Sequence, residues 1–388
     1  MRIKGKLKIE KMKKNYISYL TILYFFYTTL AITTASAQSR ISQFTQAGLV
    51  GDANKLGEAY ITPLNHAFGN LLNQGWFNTG EALRTGRFEL RIITSAVLVP
   101  AEAESFDINS LNLQSGFRVE QGSSQTPTFF GGDSDGPTLI QRYNPPQVTT
   151  PSTIQFNAPQ GIGLPLFALP MIQAGVGIWK GLELNLRFFP ELEIPTTDNS
   201  SSFALKMFGV GAKWEFQQFV PIINLWRVHM SLGVGYTQLS ASTTLNQPEN
   251  VGIPYLSGIT TPTAGFYDSQ SAGYNVRGFN INLLISKKIR LLTLYSAFRY
   301  ESSSASISVA GNYPFLLIET NASNPNFNRI AQSYISNPID INTSFQQASL
   351  SLGFRLRFLS IVTFNLEGTY GTKGYHNASF GLGFGRFN

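Results

Sequence analysis

The chain has 388 residues, 43% of them hydrophobic, 13% aromatic and 13% charged, with 35 glycines and no cysteine. Soluble domains average about 25% charged residues, so this surface is unusually uncharged. The abundance of Phe and Tyr excludes disorder, and the missing cysteines exclude a disulfide scaffold and a thiolate metal site. The net charge of +7 is concentrated in the first 37 residues, where Arg2, Lys4, Lys6, Lys8, Lys11, Lys13 and Lys14 face only Glu10. The remainder is nearly neutral, which excludes the basic surface that nucleic-acid binding needs.

The basic run leads into the apolar stretch Tyr19 to Ile32, too short for a stop-transfer helix. Ala35-Ser36-Ala37 follows, the small-x-small pattern of a signal-peptidase site. Residues 1–37 are therefore read as a signal peptide cut before Gln38, with Met12 as an alternative start. No cysteine stands at the cut, which excludes a lipid-anchored product.

Residues 38–85 carry no alternating strand. Thr62-Pro63 reads as an N-cap with proline in the first turn. Leu64, Ala67, Phe68, Leu71 and Leu72 then recur at helical spacing, with Gly75 as the stop. A second helix is expected around Asp52–Tyr60. Such an apolar stripe needs cover, and two placements stay open: a plug inside a barrel, or a cap over its periplasmic mouth.

From residue 86 to 388 the chain alternates polar and apolar residues in ten runs, each close to the 9–11 residues of a membrane-crossing strand. Val228, Met230, Leu232, Val234 and Tyr236 oppose His229, Ser231, Gly233, Gly235 and Thr237. Leu350, Leu352, Phe354 and Leu356 oppose Ser349, Ser351, Gly353 and Arg355, and Phe380, Leu382 and Phe384 oppose Ser379, Gly381 and Gly383. Weaker runs begin near Arg87, Met171, Leu182, Leu205, Gly278, Leu292 and Val362. Long links (100–165, 190–202, 240–272, 301–345) alternate with tight turns at Trp179–Gly181, Lys287–Arg290 and Leu359–Ile361, apart from a modest 217–225 and a short 371–376. Parity across the turns pairs Ile178 with Leu182 and Phe358 with Val362. Segments 105–120 and 303–320 offer one further strand each, giving 10–14.

The polar face carries Arg87, Glu89, Arg91, Glu183, Arg187, Lys213, Glu215, His229, Ser231, Arg299, Arg355, Arg357 and Glu367. An Arg or Lys turned to lipid at the midplane would cost about 2–4 kcal/mol, so these residues are assigned to a wet or ion-paired lumen. Trp179, Trp214, Trp226 and Phe358 near the tight turns, and Phe188, Phe189, Tyr300 and Tyr370 near the long links, sit where aromatic girdles belong. The fold class is thus all-β: a transmembrane antiparallel up-and-down barrel with a short N-terminal helical segment in or over its lumen.

The closing stretch Ser379 to Phe387, with its alternating aromatics, resembles the C-terminal strand that the barrel-assembly machinery reads in outer-membrane barrels. It departs in that Phe387 is off parity with Phe384 and is followed by Asn388. Gly57-Glu58-Ala59-Tyr60-Ile61-Thr62-Pro63-Leu64, Ala67-Phe68-Gly69 and Gly75-Trp76-Phe77 resemble a family of uncharacterised Bacteroidota outer-membrane barrels. The N-terminal segment is distantly similar to the hatch of long-chain fatty-acid and hydrocarbon transporters, which implies a plug.

Catalytic chemistry is sparse. His66, His229 and His376 show no metal-ligand spacing. His229 and Ser231 share a strand face and resemble the dyad of outer-membrane phospholipase, but parity turns them to the lumen, and no orienting partner or oxyanion hole is identifiable. Gly131-Gly132-Asp133-Ser134-Asp135-Gly136 lacks full calcium-loop spacing and reads as a solvated loop tip. No cofactor, metal site or enzymatic activity is expected. The leading expectation is a monomeric outer-membrane barrel, facing membrane lipid and lipopolysaccharide, that forms a narrow or gated route for a small or hydrophobic solute. The alternatives are a closed barrel whose long loops bind ligands or partners, and a hydrolase built on His229 and Ser231.

Overall fold

The computed structural model describes residues 50–120, 122–143, 152–195, 202–217, 228–245, 252–358 and 361–387. The expected signal peptide, the residues before Val50, Trp226 and most of the 217–225 link lie outside the described residues.

Alternation of small or charged residues with Leu, Phe and Val suits a sheet with two different surroundings, and the chain builds one. Its wall strands are β1 (Phe88–Leu98), β7 (Leu166–Trp179), β8 (Leu182–Pro195), β9 (Ser202–Glu215) and β10 (Val228–Thr244). They continue as β11 (Ser271–Ile289), β12 (Leu292–Ala310), β15 (Ile339–Phe358), β16 (Val362–Gly371) and β17 (His376–Arg386). These ten pair antiparallel with their neighbours, and β1 closes the barrel against both β7 and β17. The link after β1 holds β2 (Ser105–Asp107), β3 (Arg118–Val119), β4 (Gln125–Pro127), β5 (Thr138–Tyr143) and β6 (Ser152–Asn157). The link after β12 holds β13 (Asn312–Ile318) and β14 (Ile330–Ser336). These short strands form three small sheets of their own, so neither 105–120 nor 303–320 adds a wall strand.

Two turns differ from the expected register. The β11–β12 turn is made by Arg290 and Leu291 alone, since Ile289 pairs with Leu292. At the β7–β8 turn a register shift sets Trp179, not Ile178, opposite Leu182; a bulge absorbs the odd residue. Phe358 does pair with Val362.

β12 has 19 residues and β15 has 20, about twice what a tilted strand needs to cross a bilayer. Their faces exchange polarity at the paired residues Tyr300 and Ala348. On the turn side of that level Leu294, Phe298, Leu350 and Leu352 point outward and are exposed. On the loop side the outer face becomes Ser302, Ser304, Ser306 and Ser308 on β12, while Ala305, Ile307, Val309, Ile339 and Ile341 are buried inside. β10 and β11 reverse in the same way, from Val234 and Ile281 outside to Leu239, Ala241, Tyr274 and Val276 inside. The wall therefore has an apolar outer band and, beyond it, a collar that is polar outside and apolar inside, as a water-soluble barrel would be.

Helix α1 (Val50–Asn73) runs through this collar as one uninterrupted 24-residue helix, where two short ones were expected. Pro63 sits inside it rather than at its start. The proline removes the backbone donor that would serve the Ala59 carbonyl, and apolar cover on most sides outweighs that local penalty. Trp179, Trp214, Phe358, Phe188 and Tyr370 point outward, whereas Phe189 turns inward against the apolar core. Phe387 also turns inward, with the Arg355 and Arg357 guanidiniums 5.0 and 5.3 Å from its ring centre, which accounts for its parity.

Exchange of polarity along one strand makes depth measurable. Phe298→Arg is expected to lower the stability of the vesicle-embedded barrel by about 2–4 kcal/mol. Ser304→Arg, six residues along the same outer face, is expected to leave the urea refolding midpoint unchanged.

Candidate functional site

The lumen is the site, and residues 50–86 occupy it. In the collar, Leu56, Tyr60, Leu64, Phe68, Leu71 and Leu72 of α1 are buried against wall and loop side chains. Phe68 packs edge-on to Phe167 and Tyr274, with ring centres 4.8 and 5.4 Å apart. The expected plug residues Leu64, Ala67, Phe68, Leu71 and Leu72 thus lie together inside the wall.

Below Asn73 the helix must end, and Gly75 at φ +69° turns the chain. The terminal carbonyls are met by arginines. Arg187 donates to Leu72 O at 2.9 Å and to Gln74 O, and Arg91 donates to Trp76 O at 2.6 Å. Cations here complement the negative end of the helix dipole. Among the described residues Arg187 has no carboxylate within 4 Å; its guanidinium lies 3.8 Å from the Trp76 ring centre. Beside it Glu301 accepts hydrogen bonds from Asn70, Gln74, Gln347 and Ser349, and pairs with Arg299 at 3.4 Å. Arg299 also reaches Glu367 at 3.2 Å and donates to the Gln74 side-chain oxygen.

Lower still, Trp76 and Phe77 fill the bore. They fit because the wall opposite is glycine: a Cβ on Gly211 or Gly235 would lie 2.7 or 2.6 Å from Trp76. The strap from Asn78 to Gly86 then descends along charged wall residues. Lys213 pairs with Glu183 at 3.0 Å and donates to Glu81 O. Glu183 accepts from Leu83 N, and Glu215 accepts from Ala82 N at 2.7 Å. Glu89 pairs with Arg355 at 3.0 Å and Arg91 at 3.8 Å. Arg87 lies half-buried one residue before β1, and Arg357 is half-buried near the turns.

Of the expected lumen residues, Arg91, Glu183, Arg187, Lys213, Glu215 and Arg299 face inward and contact the plug, whereas Glu89, His229 and Glu367 meet other wall side chains. Glu301, Gln173, Asn280 and Asn282 belong to the same inner surface and escaped the sequence reading. Glu301 fell at the start of an expected loop, although its parity with Arg299 was a usable signal; the amides carry no charge to mark them. His229 does have an orienting partner, Glu215 at 2.8 Å. Among the described residues the Ser231 hydroxyl is buried without a hydrogen-bond partner, so there the pair is not assembled as a nucleophile and base. Asp133 and Asp135 are exposed. Among the described residues no group of three His, Cys, Asp or Glu side chains gathers to hold a metal.

Two openings flank the plug. A groove of about 450 Å³ lies between α1 and the first long link, and a neighbour of about 520 Å³ shares His66, Glu102, Ala103 and Tyr375 with it. Here, on the loop side of the membrane band, His66 stacks over Phe345 at 4.6 Å and meets Tyr375 edge-on at 5.7 Å. Burial, helped by the Lys373 charge, holds the His66 imidazole down at about 4. A third pocket, of about 430 Å³, opens on the wall where the β8–β9 register shifts, lined by Phe188, Phe189, Lys206, Met207 and Phe208.

The chain belongs to a family of unknown function (DUF6588), whose model matches residues 12–386. No curated protein matches it. Among solved structures it is similar to the outer membrane transporter YddB of Escherichia coli, with 12% identity and a TM-score of 0.30 over 76% of this chain. The chain spans 40% of that transporter's length. It is also similar to the translocator domain of the autotransporter NalP from Neisseria meningitidis, with 9% identity and a TM-score of 0.30, covering 85% of this chain and 99% of that one. The toluene transporter TodX of Pseudomonas putida gives 9% identity and a TM-score of 0.22, covering 79% of this chain and 94% of that one.

Trp76→Ala is expected to cost about 3–5 kcal/mol through the cavity it leaves. Gly235→Ala is expected to destabilise the native barrel yet to be tolerated in the Trp76→Ala background, a coupling that refolding midpoints of the four proteins would read. Because folding lowers the His66 pKa from 6.5 to about 4, the unfolded chain binds the extra proton between those values, and stability falls as pH drops from 6.5 toward 4. His66→Phe should flatten that limb of the pH–stability curve.

Proposed function

We propose that this protein is an outer-membrane barrel whose lumen is a gated route for a small amphipathic or apolar solute, closed in this conformation by residues 50–86. The observation that carries the reading is how the lower plug is held. From Leu72 to Leu83 its backbone and side chains are gripped by Arg91, Arg187, Lys213, Glu183, Glu215 and the Glu301 cluster. Among the described residues several buried groups around the plug are only partly satisfied, including Arg91 Nη1, Arg355 Nε and the Trp76 indole N–H. Water can replace such contacts at small net cost, which it cannot do for an apolar core. Ten strands enclose little more than one helix, so displacement of the strap opens a narrow path rather than a wide pore.

The solute class follows from the openings at the loop side. The His66–Phe345–Tyr375 surface beside Lys373 offers aromatic faces and a cation, and the Phe188–Phe208 pocket faces the outer edge of the apolar band. In this reading residues 1–37 are removed on export, residues 38–85 act as plug, and residues 86–388 form the wall. Lipid covers the apolar band and lipopolysaccharide the collar. The barrel works as a monomer, inserted through recognition of β17. A closed scaffold is the second reading, favoured by the folding of the long links into three sheets over the plug, with Phe129 and Phe130 fully buried.

Single-channel recording in planar bilayers separates the two. The intact barrel is expected to show brief openings that Glu301→Gln prolongs, and removal of 38–85 is expected to give a steady conductance. Conductance from the deleted form alone, with intact and Glu301→Gln barrels silent but heat-modifiable, would assign the scaffold instead.

A further inference from the structure

The direction of α1 carries a consequence for the residues ahead of it. Its first turn is tied to the long-link end of the wall. Asp52 accepts from the Gln114 and Ser115 backbone at 3.0 and 2.6 Å. Asn54 donates to Pro338 O and accepts from Asp340 N at the loop-side end of β15, and Lys55 donates to Asn112 O. Thirty-odd residues later the chain is at the opposite end, where Thr85 bridges Gly177 and Gly86 N donates to Gly177 O at 2.9 Å beside the tight β7–β8 turn. The segment thus enters the barrel at the long-link end and leaves it at the short-turn end before β1 begins.

The two ends are not equivalent. In outer-membrane barrels short turns face the periplasm and long loops the exterior, and here the long-link end also carries the collar with a polar outer face. Val50 is 46% exposed and Gly51 is exposed at the head of the helix. Among the described residues Leu56, Tyr60, Ile61 and Phe68 are completely buried where α1 meets the wall and the first long link, which leaves no gap on that side for a second pass of the chain.

We propose that the barrel carries its own N-terminal segment through the lumen and presents the residues upstream of Val50 at the cell exterior. The wall then has a second task besides any solute path, as holder of a surface-displayed segment. The inference rests on the outer-membrane placement but not on transport. It also constrains assembly. Because α1 directly precedes β1, whose pairings with β7 and β17 close the wall, placing the segment and closing the barrel involve the same stretch of chain.

The absence of cysteine makes the test direct. Single variants Gly51→Cys and Ser42→Cys would be treated with a membrane-impermeant maleimide in intact cells and after permeabilising the outer membrane. Ser134→Cys in the first long link and Lys180→Cys in the β7–β8 turn serve as references. A Cβ at Gly51 meets nothing within 4 Å, so that variant is expected to fold as the parent does. Gly51→Cys and Ser42→Cys are expected to label in intact cells together with Ser134→Cys, and Lys180→Cys only after permeabilisation. If the references behave so but Gly51→Cys and Ser42→Cys follow Lys180→Cys, or label only after denaturation, the proposal falls while the outer-membrane reading stands. If Lys180→Cys labels in intact cells and Ser134→Cys does not, the orientation is reversed and both fall.

Discussion

A closed sheet of ten strands leaves a bore with room for about one helix, and that steric limit governs the rest of the molecule. Once α1 is inside, the inward side chains along most of its length are apolar, those at its last turn meet its polar groups, as Glu301 and Arg187 do, and those below it meet the strap or lose their solvation. The first demand produces the collar, where Leu, Ile, Val and Phe point inward against Leu56, Ile61 and Phe68. The second produces the arginine and glutamate lattice around Gln74, where charges fully removed from water are matched to carbonyls and to one another.

Placing these charges inside has a cost that the geometry offsets only in part. Desolvating an ion costs several kcal/mol unless its hydrogen bonds are replaced. Glu301 has acceptor sites filled by Asn70, Gln74, Gln347, Ser349 and Arg299, whereas among the described residues Arg91 and Arg355 each keep a nitrogen without a partner. The plug is therefore held unevenly: tightly and apolarly in the collar, by exchangeable polar contacts within the membrane band. In the gated reading, that gradient makes displacement of the strap, with α1 still seated, a smaller rearrangement than withdrawal of the whole segment.

The same lumen reconciles two features that look opposed. Aromatic bulk at Trp76 and Phe77 and absence of bulk at Gly211, Gly233 and Gly235 are two halves of one contact. A wet channel lined by glycine would show the wall pattern without the aromatic pair; here each ring occupies the space its facing glycines leave.

Much of the wall was legible in the amino-acid order because period-2 alternation is local: Leu232 and Val234 outside, Ser231 and Gly233 inside, follow from the pleat of a single strand. The ten alternating runs, the alternation of tight turns and long links, and the inward assignment of Arg187, Lys213 and Arg299 came from that one regularity together with the cost of charge in lipid, whereas the upper bound of fourteen strands fell only when the links formed sheets of their own. What local order could not supply was the partner of each face. Pro63 looks like a helix start until the collar supplies cover that lets α1 run through it. Glu301 looks like the edge of a loop until Arg299, Gln74 and Ser349 converge on it from separate segments. Whether the inner charges meet water or protein, and which end of the barrel α1 enters, depended on contacts between residues up to several hundred positions apart. Such contacts exist only once the sheet has closed, and so the occupied lumen belongs to the tertiary structure alone.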